Sequence, residues 1–158
     1  MGEQVRDVDA AWSAGLFDGE GCVGVYYYGP TLGLTVQFGM TDLEPLEKLR
    51  TLWGGSIHKL GCRSTGAQVW HWTVRGKPAL VMLKQMLPYL TNKREQARVA
   101  LEYPPSPHGI KVSKENHAIR LRLFTQLKEM KKKQIKFTKD LHRSALKMWQ
   151  ILFFIVPH

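Results

Sequence analysis

The feature that most constrains the fold is a helix–strand–strand pattern that occurs twice within the first 75 residues. Each unit begins with apolar residues at helical spacing and continues into two segments rich in β-branched and aromatic residues. Leu34, Val36 and Phe38 alternate with polar or small residues, which is typical of a strand with one buried face. The predicted elements are helix 7–17, strands 22–28 and 32–41, helix 43–53, and strands 56–60 and 69–75. Together they predict one antiparallel sheet of four strands.

Further helices follow the second unit. Pro78 favours the first turn of a helix over 78–87, and residues 92–102 predict another short helix. A proline-rich stretch, PPSP at 104–107, then marks a boundary, after which the pattern predicts two more helices. The expected fold class is therefore α+β, with an αββαββα core that holds a four-stranded antiparallel sheet, and with C-terminal helices.

The domain organisation follows from the same boundary. We expect a single domain over residues 1–158. It consists of an αββαββαα core over 1–103 and a basic helical segment over 111–158.

The chain is strongly basic, with 23 Lys and Arg against 13 Asp and Glu and a formal net charge of +10. Residues 1–110 hold 11 basic and 10 acidic side chains, whereas 111–158 hold 12 basic and 3 acidic ones. A lysine run is often only a solvated helical face, but this shortage of acids favours contact with the phosphates of a nucleic acid. The densest part of the run is Lys131, Lys132, Lys133, Lys136 and Lys139.

The predicted sheet carries no acidic residue, either in 22–41 or in 55–77. An ordinary half-exposed sheet would carry some, so the pattern favours a sheet face that lies on DNA and reads base edges. Trp70, Trp72 and Val74 predict the core face of the last strand, but a shifted register would exchange the faces, and strand 56–60 does not alternate clearly. The candidate DNA contacts are Tyr26, Tyr28, Thr35, Gln37, Lys59, Arg63, His71, Thr73 and Arg75.

Three carboxylates fall at the ends of predicted elements. Asp18 and Glu20 end the first helix, and Asp42 ends the second strand. An αββα arrangement can bring these two points together, and converging carboxylates can hold the Mg²⁺ of a phosphodiesterase. Taken singly, Asp18 is equally well a turn residue and Asp42 a helix N-cap.

Several other classes of protein have little support. Two isolated cysteines, Cys22 and Cys62, and six scattered histidines give no metal-ligand spacing for zinc, and isolated cysteines fit a reducing compartment. No signal peptide is visible, and the longest apolar run, 151–156, is far shorter than the ~20 residues that span a bilayer. We therefore expect an intracellular protein with no membrane partner, in a compartment that the sequence leaves open.

At the carboxylates the chain resembles the LAGLIDADG homing endonuclease family. The motif stands here as SAGLFDGEG at 13–21, and WGG at 53–55, WTVRG at 72–76 and LPYLTNKREQA at 87–97 resemble later landmarks of that family in the same order. The resemblance covers residues 8–103. It implies a site-specific double-strand DNA endonuclease of the intron- or intein-homing type, with Mg²⁺ or another divalent cation such as Mn²⁺ as cofactor.

The resemblance also implies roles for individual residues. Glu20, which stands where the family name has Asp, would bind metal together with the carbonyl of Gly19. Asp42 would bind metal, or orient or deprotonate water, and Lys93 would stabilise the charge of the transition state or tune the attacking water.

A single motif in the chain implies a homodimer on a near-palindromic DNA site. Small residues of the motif helix would let the two helices approach closely, and these are Ala11, Ala14 and Gly15. Ser13 departs from the apolar residue that the family has at the first motif position.

The alternative is a nucleic-acid-binding protein on the same fold without catalysis, either an RNA maturase for its host intron or a DNA-binding regulator. The basic C-terminal segment favours this alternative, while the retained acids and lysine argue against it. A basic amphipathic membrane binder rests on the tail alone.

Overall fold

The elements follow each other in the αββαββα order that the sequence predicts. A computed structural model describes residues 5–62, 66–106 and 112–155. The elements are α1 (Asp7–Glu20), β1 (Gly21–Tyr28), β2 (Thr31–Met40), α2 (Glu44–Trp53), β3 (Ser56–Cys62), β4 (Gln68–Arg75), α3 (Lys77–Met86), a 3₁₀ turn (Leu87–Tyr89), α4 (Arg94–Leu101) and α5 (Lys114–Ile155). The predicted α+β class is confirmed.

The end of α1 differs from the prediction, which stopped the helix at Phe17. The helix continues through Gly19 and Glu20, and Gly21 is the first extended residue, with its N–H bonded to the Phe17 carbonyl. A Cβ at Gly19 would meet open space, whereas a Cβ at Gly21 would collide with Phe17. The glycine that the turn requires is therefore Gly21, which shifts the end of the helix by three residues.

The sheet is antiparallel with strand order β1-β2-β4-β3. Phe38 lies opposite Gly21 on one side and Trp72 on the other. Phe38 packs edge to face on Phe17 of α1 at 5.9 Å and on Trp72 at 5.6 Å between ring centroids. These aromatic contacts join the sheet to α1, and they confirm the predicted core face of β4.

The opposite face of the sheet carries the polar residues. The pairing of β3 with β4 fixes the register of β3, which the sequence left open. Thr73 lies opposite Ser56, and His71 lies opposite His58. Lys59 pairs instead with Trp70, on the core-facing side, where its Nζ is 5.2 Å from the Trp70 ring centroid. Lys59 is therefore on the core-facing side of the sheet rather than on its polar face, although its side chain is exposed, and its contact with DNA stays a prediction. The alternation of β3 is obscured by a bulge between Lys59 and Gly61.

The C-terminal segment contains one helix, α5, where two were predicted. Residues 112–155 contain neither glycine nor proline, so nothing in the backbone chemistry ends the helix. The chain divides into two compact units, Met1–Leu127 and Lys128–His158, and the division falls within α5. In the first unit, Leu123 and Leu127 are buried. Among the described residues, no helix is both long enough and apolar enough to cross a membrane.

Arg120 fixes the first turns of α5 in the first unit. Its side chain is 4% exposed. The guanidinium donates to the Pro104 carbonyl at 2.8 Å, to the Leu32 carbonyl at 3.2 Å and to the Ser106 hydroxyl at 2.6 Å. It also lies 4.7 Å from the ring of Tyr103. One buried cation thus satisfies acceptors from the β2 strand and from the loop before α5.

Replacing this arginine should destabilise the fold. Arg120→Ala removes a buried guanidinium and its hydrogen bonds to the Pro104 and Leu32 carbonyls and the Ser106 hydroxyl, so we expect the free energy of unfolding to fall by about 2–4 kcal/mol. The matched control is Arg122→Ala on the same helix, because Arg122 is exposed and pairs with Glu102, and such pairs contribute about 0–1 kcal/mol. Urea unfolding at one protein concentration measures both. Equal losses for the two variants would contradict the assigned role of Arg120.

Candidate active site and nucleic-acid interface

One face of α1 packs on the protein core. Ala14 and Phe17 are fully buried, and Ser13 accepts a 2.9 Å hydrogen bond from the indole N–H of Trp53. Ser13 itself donates to the Asp9 carbonyl at 2.8 Å. The serine at the first motif position therefore satisfies a buried indole of α2, which explains why a polar residue is accommodated there.

The other face of α1 consists of small and apolar residues that the chain leaves open. Val8 is 66% exposed, and Gly15 is exposed, with open space around the position of a Cβ. Ala11 is half-buried, whereas Ala14, predicted to share this face, is 0% exposed and packs inward. Ala14 therefore faces the core and not this open face, because it precedes Gly15 by one residue and a helix turns 100° per residue.

Lys93 lies beneath the end of α1. Its side chain is 8% exposed, and its Nζ donates to the carbonyls of Phe17 at 2.8 Å, Gly21 at 2.7 Å and Gly19 at 3.4 Å. These include the last carbonyls of α1, which have no partner within the helix. Burial lowers the pKa of Lys93, while the nearby Cys22 and carboxylates oppose that shift. The ammonium therefore closes the C-terminus of α1, at its negative end.

Asp18 makes the reciprocal connection. One carboxylate oxygen accepts from the backbone N–H and the hydroxyl of Thr91, both at 2.7 Å. The other accepts from the backbone N–H of Lys93 at 2.9 Å. Burial alone would raise the pKa of Asp18, but these hydrogen bonds hold the pKa below its ordinary value of 3.8. Asp18 thus holds the loop that precedes α4 in place. Of the two roles that the sequence allows, metal ligand or turn residue, this is a structural one.

Glu20 is exposed at the last residue of α1. Within the described part of the chain, its carboxylate forms no hydrogen bond or ion pair. Gly19 is exposed beside it, and its carbonyl accepts a long, 3.4 Å hydrogen bond from the Lys93 ammonium. A carboxylate and a carbonyl are the hard oxygen ligands that Mg²⁺ prefers.

Asp42 is exposed between β2 and α2, and its Oδ1 accepts from the backbone N–H of Glu44 at 3.2 Å. β2 ends at Met40, beside the start of β1 at Gly21, so Asp42 and Glu20 lie at the same end of the sheet. In the described residues of this one chain, no three His, Cys, Asp or Glu side chains converge to hold a metal ion. The predicted carboxylates are thus placed at one end of the sheet without forming a complete metal site.

The polar sheet face is organised by hydrogen bonds between its own side chains. The Tyr28 and Thr35 hydroxyls are 2.7 Å apart, and Gln37 donates to the Tyr26 hydroxyl at 3.4 Å. Thr35 is 1% exposed, so its predicted contact with DNA bases is replaced by a supporting role under Tyr28. Arg75, in contrast, is exposed, and its guanidinium lies 4.2 Å from the Tyr28 ring centroid.

Two residues of this face were missed from the sequence because the β3 register was unknown. Ser56 and His58 line an open hollow of about 460 Å³ together with Thr73, a buried residue, and Arg75. His71 lies across the ladder from His58; burial and the neighbouring His58 both lower the pKa of His71. The hollow extends the polar face to the edge strand.

The remaining predicted contacts lie elsewhere. Arg63 is outside the described residues. In the second unit, Lys132, Lys133, Lys136 and Lys139 are exposed on α5, while Lys131 is half-buried. Lys132 pairs with Glu129 at 2.8 Å.

No protein-family model and no curated protein matches the sequence. The solved structures give matches. The homing endonuclease I-CvuI, in complex with its target, aligns with a TM-score of 0.53 and 24% identity over 61% of this chain and 66% of that chain. The archaeal intron-encoded homing endonuclease I-Vdi141I, complexed with DNA, aligns with a TM-score of 0.52 and 16% identity over 61% of this chain and 67% of its own.

A third structure extends the alignment. The LAGLIDADG homing endonuclease I-GzeII, in complex with its DNA target, aligns with a TM-score of 0.51 and 17% identity over 78% of this chain and 43% of that chain. The chain has the LAGLIDADG homing endonuclease fold. It spans slightly less than two thirds of the I-CvuI chain.

In this LAGLIDADG fold, the motif residues 13–21 form the second half of α1 and the first residue of β1. The fold expected from the resemblance is confirmed.

The Asp18 hydrogen bonds generate a prediction about stability and pH. Asp18→Asn should lower the free energy of unfolding by about 1–2 kcal/mol at neutral pH, because charge-assisted bonds to the Thr91–Lys93 loop are lost. The folded-state pKa of Asp18 is depressed, so this contribution is complete above the ordinary value of 3.8 and is lost as the pH falls through the lower folded value. Urea unfolding at a series of pH values measures it.

Asp42→Asn is the matched control, because Asp42 is exposed and accepts a single 3.2 Å bond. Its effect should stay below about 1 kcal/mol. A constant gap between wild type and Asp18→Asn at all pH values would contradict the role assigned to the Asp18 carboxylate.

Proposed function

We propose that the chain is a site-specific double-strand DNA endonuclease of the homing type that acts with Mg²⁺ as a homodimer. The observation that carries this proposal is the exposed, unpaired Glu20 carboxylate beside an acid-free sheet face, on a fold shared with DNA-bound homing endonucleases. A binding module gains nothing from a carboxylate turned toward phosphates, because the two charges repel.

The donor atoms around Glu20 fit a divalent cation. The Glu20 carboxylate and the Gly19 carbonyl would hold it; a bound Mg²⁺ or Mn²⁺ would polarise the scissile phosphate and lower the pKa of a coordinated water. The Gly19 carbonyl can accept the 3.4 Å bond from Lys93 with one lone pair and still offer the other to the ion.

Asp42 and Lys93 support this centre in different ways. Asp42 uses one oxygen for the Glu44 N–H and keeps the other for orienting water, or for accepting its proton. Lys93 is buried against three carbonyls, so we assign it as a positioning residue that fixes the end of α1 and the Gly19 carbonyl. Stabilisation of the transition-state charge by Lys93 would require its ammonium to leave those carbonyls.

A second copy of the chain would complete the site. The exposed face of α1, with Val8, Ala11, Gly15 and Gly19, presents small and apolar residues at helical spacing, and Glu20 follows directly. Helices with such faces approach closely, which would bring the Glu20 residues of two protomers together. Two-fold symmetry then predicts a near-palindromic DNA site.

DNA would lie on the polar sheet face. Exposed or half-buried groups there include Tyr26, Gln37, His58, His71 and Arg75, and residues 54–77 and 21–41 contain no acid that would repel phosphate. Amide, imidazole and guanidinium groups can all bond base edges in the major groove.

Binding to nucleic acid without cleavage is a second candidate function, favoured by a lysine row on α5. Lys128, Lys132, Lys136 and Lys139 are exposed and spaced four, four and three residues apart, which places them on one helix face. Such a row contacts phosphates of DNA or of a host intron RNA without reading sequence. The cleavage assay below separates the two functions.

The catalytic role of Glu20 is tested by Glu20→Gln. The variant should fold and bind DNA like wild type, since the Glu20 side chain supports no other residue, but Mg²⁺-dependent cleavage should fall by roughly 100-fold or more. The assay selects cleaved members of a randomised duplex library. Glu95→Gln is the control, because Glu95 is an exposed acid of α4 that pairs with Arg98.

Cleavage by Glu20→Gln at the wild-type rate would refute the catalytic assignment. If wild type cuts no duplex with Mg²⁺ but binds structured RNA more tightly than duplex DNA, the second candidate function takes its place.

The homodimer is tested by Gly15→Leu. A leucine there meets open space within one chain, so the fold should persist, but its bulk would hold two α1 helices apart. We expect sedimentation velocity to show a monomer and double-strand cleavage to disappear. Thr51→Leu adds the same side chain at an exposed site of α2 and should change neither property. A Gly15→Leu protein that stays dimeric would show that α1 is not the interface.

A further inference from the structure

We infer that Arg75 reads a guanine in the DNA target and that Tyr28 holds it in position to do so. This inference rests on the proposed function, to which it adds one recognised base pair.

Arg75 is held by an aromatic ring rather than by a carboxylate. Its guanidinium carbon lies 4.2 Å from the Tyr28 ring centroid. Tyr28 is itself fixed by the 2.7 Å hydrogen bond with the buried Thr35 hydroxyl. A guanidinium over a ring keeps its N–H donors available, which an ion pair would occupy.

Gly33 allows this arrangement. A Cβ at Gly33 would lie 2.9 Å from Cδ2 and 3.1 Å from Cε2 of Tyr28, so the ring covers the bare backbone of β2. Because Gly33 has no side chain, the Tyr28 ring can pack flat on the backbone of β2, where it contacts Thr35 and Arg75.

The donors of Arg75 have no acceptor in the described part of the chain. The side chain is exposed, and no hydrogen bond or ion pair of the guanidinium occurs among the described residues. Residues 54–77 and 21–41 contain no carboxylate. Arg75 lines the open hollow of about 460 Å³ with Ser56 and His58. A restrained fork of donors at an open polar surface matches the O6 and N7 acceptors of guanine.

The sheet register gives the distance of this base from the cleavage centre. β4 runs from Trp70, opposite Met40 near Asp42, to Arg75, opposite Thr35. Five residues of strand span roughly 17 Å. Base pairs repeat every ~3.4 Å along the duplex, so for a duplex that lies along β4, Arg75 would read about five base pairs outward from the Asp42 end of the sheet.

The experiment is selection of bound members of a randomised duplex library without Mg²⁺, followed by sequencing. Wild type should enrich one guanine per half-site. In Arg75→Ala and Arg75→Lys, preference for that guanine should fall roughly 10-fold to 100-fold, because lysine lacks the fork. Gly33→Ala should weaken the same preference by displacing Tyr28, whereas Tyr28→Phe, which keeps the ring, should weaken it less.

Lys77→Ala is the matched control, since it removes an exposed cation two residues away and should lower affinity for all duplexes alike. A uniform loss of affinity in Arg75→Ala, with the guanine preference intact, would overturn the inference in favour of a phosphate contact. Enrichment of a site without such a guanine overturns it as well, while the proposed function stands. A wild-type protein that enriches no duplex refutes the proposed function itself.

Discussion

The geometry of the candidate active site depends on two sets of hydrogen bonds, one accepted by the Asp18 carboxylate and the other donated by the Lys93 ammonium. The Asp18 carboxylate accepts the backbone N–H groups of Thr91 and Lys93, and the Lys93 ammonium donates to the carbonyls of Phe17, Gly19 and Gly21. Each residue thus satisfies backbone groups of the other's segment. Because the Lys93 ammonium closes the end of α1, Glu20 can end the helix with a carboxylate that forms no hydrogen bond or ion pair within the described part of the chain.

On the polar face of the sheet, neighbouring side chains likewise satisfy each other's hydrogen-bonding groups. Tyr28 with Thr35, and Gln37 with Tyr26, use neutral groups to bond each other. No carboxylate is needed to order them, so the face stays compatible with phosphate, and among the described residues Arg75 forms no hydrogen bond or ion pair. The core is nearly neutral while the C-terminal segment carries most of the +10 charge. In the proposed function, base recognition by the sheet and general attraction of phosphates would therefore be separated along the sequence.

Local patterns predicted much of this fold. Alternation in β2 and the tryptophans of β4 identified the core face, and the SAGLFDGEG motif located the carboxylates. What the sequence left open mostly concerns longer-range geometry. The register of β3 stayed open because a bulge interrupts the strand, and the core-facing position of Ala14 depends on the sheet that α1 meets. The end of α1 has a local cause, because a Cβ at Gly21 would collide with Phe17 four residues earlier. The Lys93 ammonium donates hydrogen bonds to carbonyls more than 70 positions earlier in the chain, and no local sequence pattern encodes such contacts.

The position of Lys93 bears on how the charge of the reaction would be met. A buried ammonium bonded to three carbonyls has little freedom to approach a phosphate, since leaving would break all three hydrogen bonds. Its field nevertheless acts at the end of α1, where it opposes the negative pole of the helix and the repulsion between Glu20 and phosphate. In the endonuclease proposed above, Lys93 would therefore contribute through charge and position without contact with the substrate, and the direct chemistry would fall to oxygen ligands at Glu20 and Gly19.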